Sequence, residues 1–125
     1  MRIARGVLAV LFGFLVFSAI IRMHGAFSGS PGANAPVLNY LLLSVVLTIA
    51  GAVLGGYTTA CIAGSHEFPH SAALGLLMVL MSLLSMRQEG ISRPGWYQTA
   101  IAGCGPVSAM LGAALRLLTK RRVSR

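Results

Sequence analysis

Aspartate is absent from this chain, and glutamate occurs only at Glu67 and Glu89. That scarcity excludes most carboxylate-based catalysis. Charge of any kind is thin: 10% of the 125 residues, against about 25% in soluble domains. With 56% hydrophobic residues and a mean hydropathy of +0.80, the chain could not coat a water-soluble surface. Cysteine is down to Cys61 and Cys104. The first lies near one end of its apolar run and the second mid-run, so their depths differ by roughly 10 Å at about 1.5 Å per residue. A disulfide cannot span that gap, and both read as small packing residues. The length allows one domain.

What the chain does have is four apolar runs: residues 6–21, 37–63, 71–86 and 95–115. A bilayer crossing needs about 20 mostly apolar residues. The second and fourth runs meet this outright. The other two reach it with Arg5, Arg22, Pro69 and Arg87 at the interfaces. The expectation is an all-α membrane protein, a bundle of four transmembrane helices at about 4–22, 37–63, 70–87 and 95–117, with a basic tail over 118–125. The first run has a basic start like a signal peptide, but the only nearby A-x-A, Ala33-Asn34-Ala35, lies far beyond it and precedes Pro36. The run is therefore read as a retained helix.

Lysine and arginine set the orientation. Seven fall on the side of the termini (Arg2, Arg5, Arg116, Lys120, Arg121, Arg122, Arg125) against Arg22, Arg87 and Arg93 on the other. Both termini are expected in the cytoplasm. The +8 charge is first a topology signal, and Lys120, Arg121 and Arg122 are placed to meet anionic lipid headgroups at about 1 kcal/mol per cation. No folded basic module accompanies the tail, so nucleic acid is not an expected partner. Residues 24–36 and 87–94 read as external loops and 64–69 as a tight cytoplasmic turn. Trp96, Tyr97 and Tyr40 suit the headgroup level.

Lipid gives helices little hydrophobic drive to associate, so small residues decide where they meet. The second run carries two adjacent rows four residues apart: Gly51, Gly55, Thr59 and Ala63 beside Ala52, Gly56, Ala60 and Gly64. The fourth has Cys104, Ser108 and Gly112 beside Gly105, Ala109 and Ala113. These faces are expected to pack on each other or on a second copy. Pro106 removes a helix hydrogen bond and frees the Ala102 carbonyl, as a structural kink or as the broken helix of a transport path.

His66-Glu67-Phe68-Pro69-His70 carries the letters H-E-x-x-H of zinc peptidases. That chemistry needs both imidazoles on one helical face and a third ligand. Pro69 opposes the helix, and His24 and Glu89 fall on the opposite side of the membrane. No metal or other cofactor is expected, and two-histidine haem ligation fails on the same separation. Four-helix multidrug transporters use a membrane-embedded glutamate, whereas no span here holds an ionisable residue. A polar pathway could still be built from Asn39, Ser44, Thr48, Thr58, Thr59, Gln98, Thr99 and Ser108.

The stretch Gly55-Gly56-Tyr57-Thr58-Thr59-Ala60-Cys61-Ile62-Ala63-Gly64, then His70, Leu74-Gly75, Pro94-Gly95-Trp96-Tyr97 and Leu111-Gly112-Ala113-Ala114-Leu115-Arg116 resembles a group of small bacterial four-helix inner-membrane proteins. The resemblance covers roughly residues 50–116. It implies a bacterial inner membrane and brings no catalytic residue with it. His70 and the Gly55-Gly56-Tyr57 segment are its candidate functional positions.

The leading functional expectation is a non-enzymatic module that packs with itself, lipid or another membrane protein through Gly51, Gly55, Gly56, Ala60, Gly105, Ala109 and Gly112. The alternative is a small oligomeric transporter or channel with the Pro106 helix lining its path. A zinc hydrolase at His66–His70 comes third.

Overall fold

The computed structural model describes residues 2–28, 37–64, 66–89 and 94–124. They form four helices: α1 (Arg2–Ser28), α2 (Val37–Ala63), α3 (Glu67–Glu89) and α4 (Gly95–Val123). Each holds a stretch long and apolar enough to cross a membrane, the shortest being the 21 residues Glu67–Arg87. At about 1.5 Å per residue that already spans roughly 30 Å, the thickness of a hydrocarbon core. The Ala33–Ala35 stretch, Ser65, Arg93 and Arg125 lie outside the described residues.

Three helices outrun the expected limits, all for one reason. Charge ends an apolar run but does not end a helix. α1 continues past Arg22 to Ser28, which removes His24 from the expected loop over 24–36 and places it on a helix. α3 starts at Glu67 rather than at residue 70, and runs to Glu89. Pro69 thereby falls within the first turn, where a missing N–H costs nothing because no carbonyl precedes it in the helix. α4 carries the basic segment as helix to Val123, so the tail begins later than residue 118. Lys120, Arg121 and Arg122 occupy its last turn, the end at which the helix dipole favours cations.

The α2–α3 connection is built from left-handed backbone. Gly64 has φ +68° and returns its N–H to the Ala60 carbonyl at 3.3 Å, closing α2; glycine adopts this conformation without Cβ strain. His66 follows at φ +54°. Arg5 of α1 donates from Nε to the Ile62 carbonyl at 2.7 Å, satisfying one of the acceptors that a helix C-terminus leaves over.

Around the bundle the order is α1, α2, α4, α3, with α2 also touching α3 across the middle. The size pattern is inverted relative to a soluble core. Ala9, Ala52, Ala60, Ala109 and Ala113 are buried, while Leu8, Leu15, Leu42, Val46, Leu76, Leu84, Leu111 and Leu118 face outward. A bundle in lipid has this pattern, because its outer surface needs no polar cover and its interior gains from close backbone approach.

The two small-residue rows of α2 serve different neighbours. Gly51 and Gly55 face α1: a methyl placed on Gly55 would sit 2.8 Å from the Gly13 carbonyl oxygen, and one on Gly51 would sit 3.3 Å from the Phe17 ring. Gly56 faces α4, where a methyl would lie 2.7 Å from the carbonyl carbon and 2.8 Å from the Cα of Ala109. Gly112 answers from α4, with space for no side chain against Val53, Gly56 and Tyr57 backbone. Leu74 of α3, fully buried, fills the hollow where Gly13 and Gly55 meet; its Cδ2 lies 3.2 and 3.6 Å from their absent methyls. Thr59 Oγ1 donates to its own helix at the Gly55 carbonyl (2.8 Å) and reaches the Ala9 carbonyl of α1 (3.2 Å). Ser71 Oγ of α3 donates to the Gly56 carbonyl at 3.3 Å.

Pro106 leaves α4 helical on both sides. Its ring packs on Gly75 of α3, where an added methyl would meet the Pro106 Cβ at 2.9 Å.

Candidate functional site

The tight half of the bundle holds the chain termini; the other half opens. The small rows end at Gly51, and beyond it the inward positions pass to large side chains: Phe17, Ile21 and His24 on α1, Tyr40 on α2, Met81 and Met86 on α3, Tyr97 on α4. Helices held apart by rings and thioethers leave a cavity of about 380 Å³. That volume is in the range of small-molecule sites.

Its walls combine apolar surface with hydroxyl and amide groups. Phe14, Phe17, Ile21, Met78 and Ile101 supply the apolar part, and Ser44, Thr48, Ser82, Ser85 and Gln98 the polar part. Among the described residues no Lys, Arg, Asp or Glu lines it. The Thr48 hydroxyl is committed to the Ser44 carbonyl of its own helix at 2.8 Å. His24 is the main polar feature. It is buried, its Nε2 lies 2.9 Å from Ser44 Oγ, and its ring stacks on Tyr40 with centroids 5.0 Å apart. When Nε2 carries the proton it donates to Ser44 Oγ, and the Ser44 hydroxyl hydrogen turns elsewhere. When Nε2 is bare, Ser44 donates to it. In both tautomers the pair is a hydrogen-bonded donor–acceptor unit on the cavity wall.

Of the polar residues whose types suit a pathway, Ser44, Thr48 and Gln98 reach this cavity. Thr58 and Thr59 bond within α2, Thr99 bonds within α4, and Ser108 is buried in the tight half. Pro106 does not line the cavity; α4 contributes Tyr97, Gln98 and Ile101 instead. His24, Tyr40 and Tyr97 complete the site, and sequence reasoning assigned them to a loop and to the headgroup level. The available signal was the absence of a helix breaker between Arg22 and Ser28, since the single Gly25 is tolerated in a helix.

The remaining candidate positions are elsewhere. Gly51 and Gly55 meet α1, while Gly56, Ala60, Ala109 and Gly112 are buried in the tight half. Gly105 faces Met78 at a looser 3.7 Å. Both small rows of α2 are thus filled within one chain. Tyr57 and His70 are not brought together: the Tyr57 backbone borders Gly112 of α4, whereas the His70 ring lies over Gly6 of α1. His70 Nδ1 is 2.8 Å from the His66 carbonyl, and a carbonyl only accepts, so Nδ1 bears the proton. His66 stands outside α3 in left-handed backbone. The two imidazoles therefore do not share a helical face, and among the described residues no three His, Cys, Asp or Glu side chains converge on a metal position.

At this same end Glu67 is buried and pairs through Oε1 with Lys120 Nζ at 3.4 Å, tying α3 to α4. Its Oε2 and the Nε of Arg116 are buried without hydrogen-bond partners among the described residues. Arg121 and Arg122 are exposed.

Compared with known protein families, curated proteins and solved structures, the chain shows no match.

Proposed function

We propose that this is a multi-pass membrane protein, not an enzyme, that holds a small uncharged molecule inside its bundle as a binding or transport component. The single observation that carries the reading is the cavity of about 380 Å³ with the His24–Ser44 pair on its wall and, among the described residues, no Lys, Arg, Asp or Glu lining it. A charged ligand would leave water for a site whose described walls hold no Lys, Arg, Asp or Glu, at a cost of several kcal/mol. A neutral molecule with one or two hydrogen-bonding groups meets apolar walls and hydroxyls together. The rival module that packs against a second copy loses its most specific support, because the glycine rows are occupied by α1 and α4.

The excess of lysine and arginine on the side of the termini supports cytoplasmic termini, in a bacterial inner membrane by the resemblance of residues 50–116. The cavity then faces outward. Anionic lipids are the expected partners of Lys120, Arg121 and Arg122.

Cysteine accessibility tests the cavity. In a Cys61→Ala, Cys104→Ala background, Ser82→Cys should react with a water-soluble maleimide, from the outer face only, and a small neutral phenol should slow it. Ser108→Cys, in the tight half, should stay inert. Equal inertness at both positions would overturn the reading.

A further inference from the structure

We infer that the ligand is a small aromatic carboxamide or lactam, its ring among the side chains of α1 and α3 and its amide edge on Gln98 and Ser82. The inference rests on the cavity reading above and names the ligand's chemistry. On the α1–α2 side the polar groups are committed: His24 Nε2 lies 2.9 Å from Ser44 Oγ, and the Thr48 hydroxyl donates to the Ser44 carbonyl at 2.8 Å. On the α3–α4 side Ser82, Ser85 and Gln98 line the cavity, and no hydrogen bond joins their side chains to another described residue. Ser82 and Gln98 are half-buried, and Ser85 is exposed.

Their places on the helices bring these groups together. Ser82 and Ser85 stand one turn apart on the face of α3 that also carries Met78 and Met81 to the cavity. α3 leads directly into α4, and the two are in contact. Ser85 near the end of α3 and Gln98 near the start of α4 therefore lie at similar depth, each about 4–6 Å from its helix end at about 1.5 Å per residue. The Gln98 amide holds a carbonyl acceptor and an NH2 donor side by side, and a serine hydroxyl takes either role. A carboxamide or a lactam presents the matching pair, satisfies both ends of the Gln98 amide, and is neutral.

The rest of the cavity favours a flat ring. Phe14, Phe17, Tyr40 and Tyr97 bring aromatic side chains to it, and Met78 and Met81 bring thioethers. Aromatic rings attract one another offset or edge to face, and thioether sulfur favours a ring edge. Phe14 and Phe17 are tilted by 41° with centroids 6.4 Å apart, so neither ring is stacked flat on the other. An aliphatic amide fits Gln98 but forgoes these contacts. A ring with an acceptor alone leaves the Gln98 carbonyl without a donor. Among the described residues no Lys or Arg lines the cavity to hold a carboxylate.

The full chain is placed in phosphatidylcholine nanodiscs, and binding of radiolabelled benzamide is measured by equilibrium dialysis against empty nanodiscs. Expected is saturable binding, displaced by 2-pyridone and at least about tenfold less well by acetophenone (the same shape without the donor), cyclohexanecarboxamide and benzoate. Gln98→Leu should bring benzamide down to the level of acetophenone, a loss of selectivity that a merely structural role would not produce. Ser82→Ala should weaken benzamide about threefold. Thermal unfolding checks each bundle, with Gln98→Met as the second variant should Gln98→Leu not fold. Acetophenone binding as tightly as benzamide overturns the amide edge, and cyclohexanecarboxamide doing so overturns the ring. Absence of saturable benzamide binding overturns the ligand class; the cavity reading then stands if phenol still shields Ser82→Cys from maleimide and falls if it does not.

Discussion

Gly56 is the position where a single methyl should do most harm. The added carbon overlaps the Ala109 carbonyl oxygen and lies 2.7 Å from its carbonyl carbon, against 3.4–4 Å for ordinary contact. The opposing atoms are backbone, so no rotamer change relieves them, and α4 must withdraw from α2 by about 1 Å. A gap of that size forfeits roughly a quarter to a half of each contact's well of about 0.1–0.2 kcal/mol. Over on the order of 50 atom pairs along the interface this amounts to about 2 kcal/mol, within the 1–3 kcal/mol typical of overpacking. Gly103 is the control, because nothing lies within 4 Å of its absent methyl. There alanine should be neutral or stabilise by up to about 1 kcal/mol through helix propensity. The assay is equilibrium unfolding in mixed micelles followed by circular dichroism. The propensity gain is common to both positions, so Gly56→Ala should fall about 2 kcal/mol below Gly103→Ala. Equal midpoints for the two variants would show that α2 and α4 do not touch through their backbones.

Other changes test other joints. Arg5→Ala removes the donor to the Ile62 carbonyl and should cost about 1 kcal/mol, read in the same unfolding assay; Arg5→Lys should recover part of it. At the Glu67–Lys120 pair the two partners are unequal, since Glu67 is buried and Lys120 mostly exposed. Lys120→Met leaves a buried carboxylate without its partner and should destabilise by about 1–2 kcal/mol, whereas Glu67→Gln removes the buried charge and should change stability by less than about 0.5 kcal/mol. The reverse order would mean that the pair is not what ties α3 to α4. Zinc added to the purified chain should not be retained at one ion per chain in native mass spectrometry. A stoichiometric ion lost in His70→Ala would refute the geometry given for the 66–70 turn.

The number of helices was legible because uncharged runs near 20 residues have few other uses, and the rows around Gly55 and Gly56 were legible because small residues four apart share a face. Which row meets which neighbour was not. Adjacent rows on one helix differ by only about 100° of rotation, and a sequence carries no record of whether the partner is Gly13 or Ala109. Gly13 has only Ala9 four residues before it, with Phe17 four after, so the row on α1 is too short to mark it. Its role comes from Thr59 and Leu74, which reach it from two other helices.

The cavity escaped the sequence for a related reason. A tight contact needs a pattern, a repeated small residue that can be seen, whereas a cavity needs only that the pattern stop. On α2 the last glycine of the row is Gly51, and the positions before it on that side, Thr48 and Ser44, look like ordinary polar links between helices. They become a site because α1 stays helical past Arg22. That extension carries the His24 ring over Tyr40 and within 2.9 Å of Ser44. Ending α1 at Arg22 would remove His24 from the cavity wall and leave Ser44 without its imidazole partner. Residues 24–28, which sequence reasoning gave to a loop, therefore bring His24 to the cavity, and the functional proposal stands or falls with them.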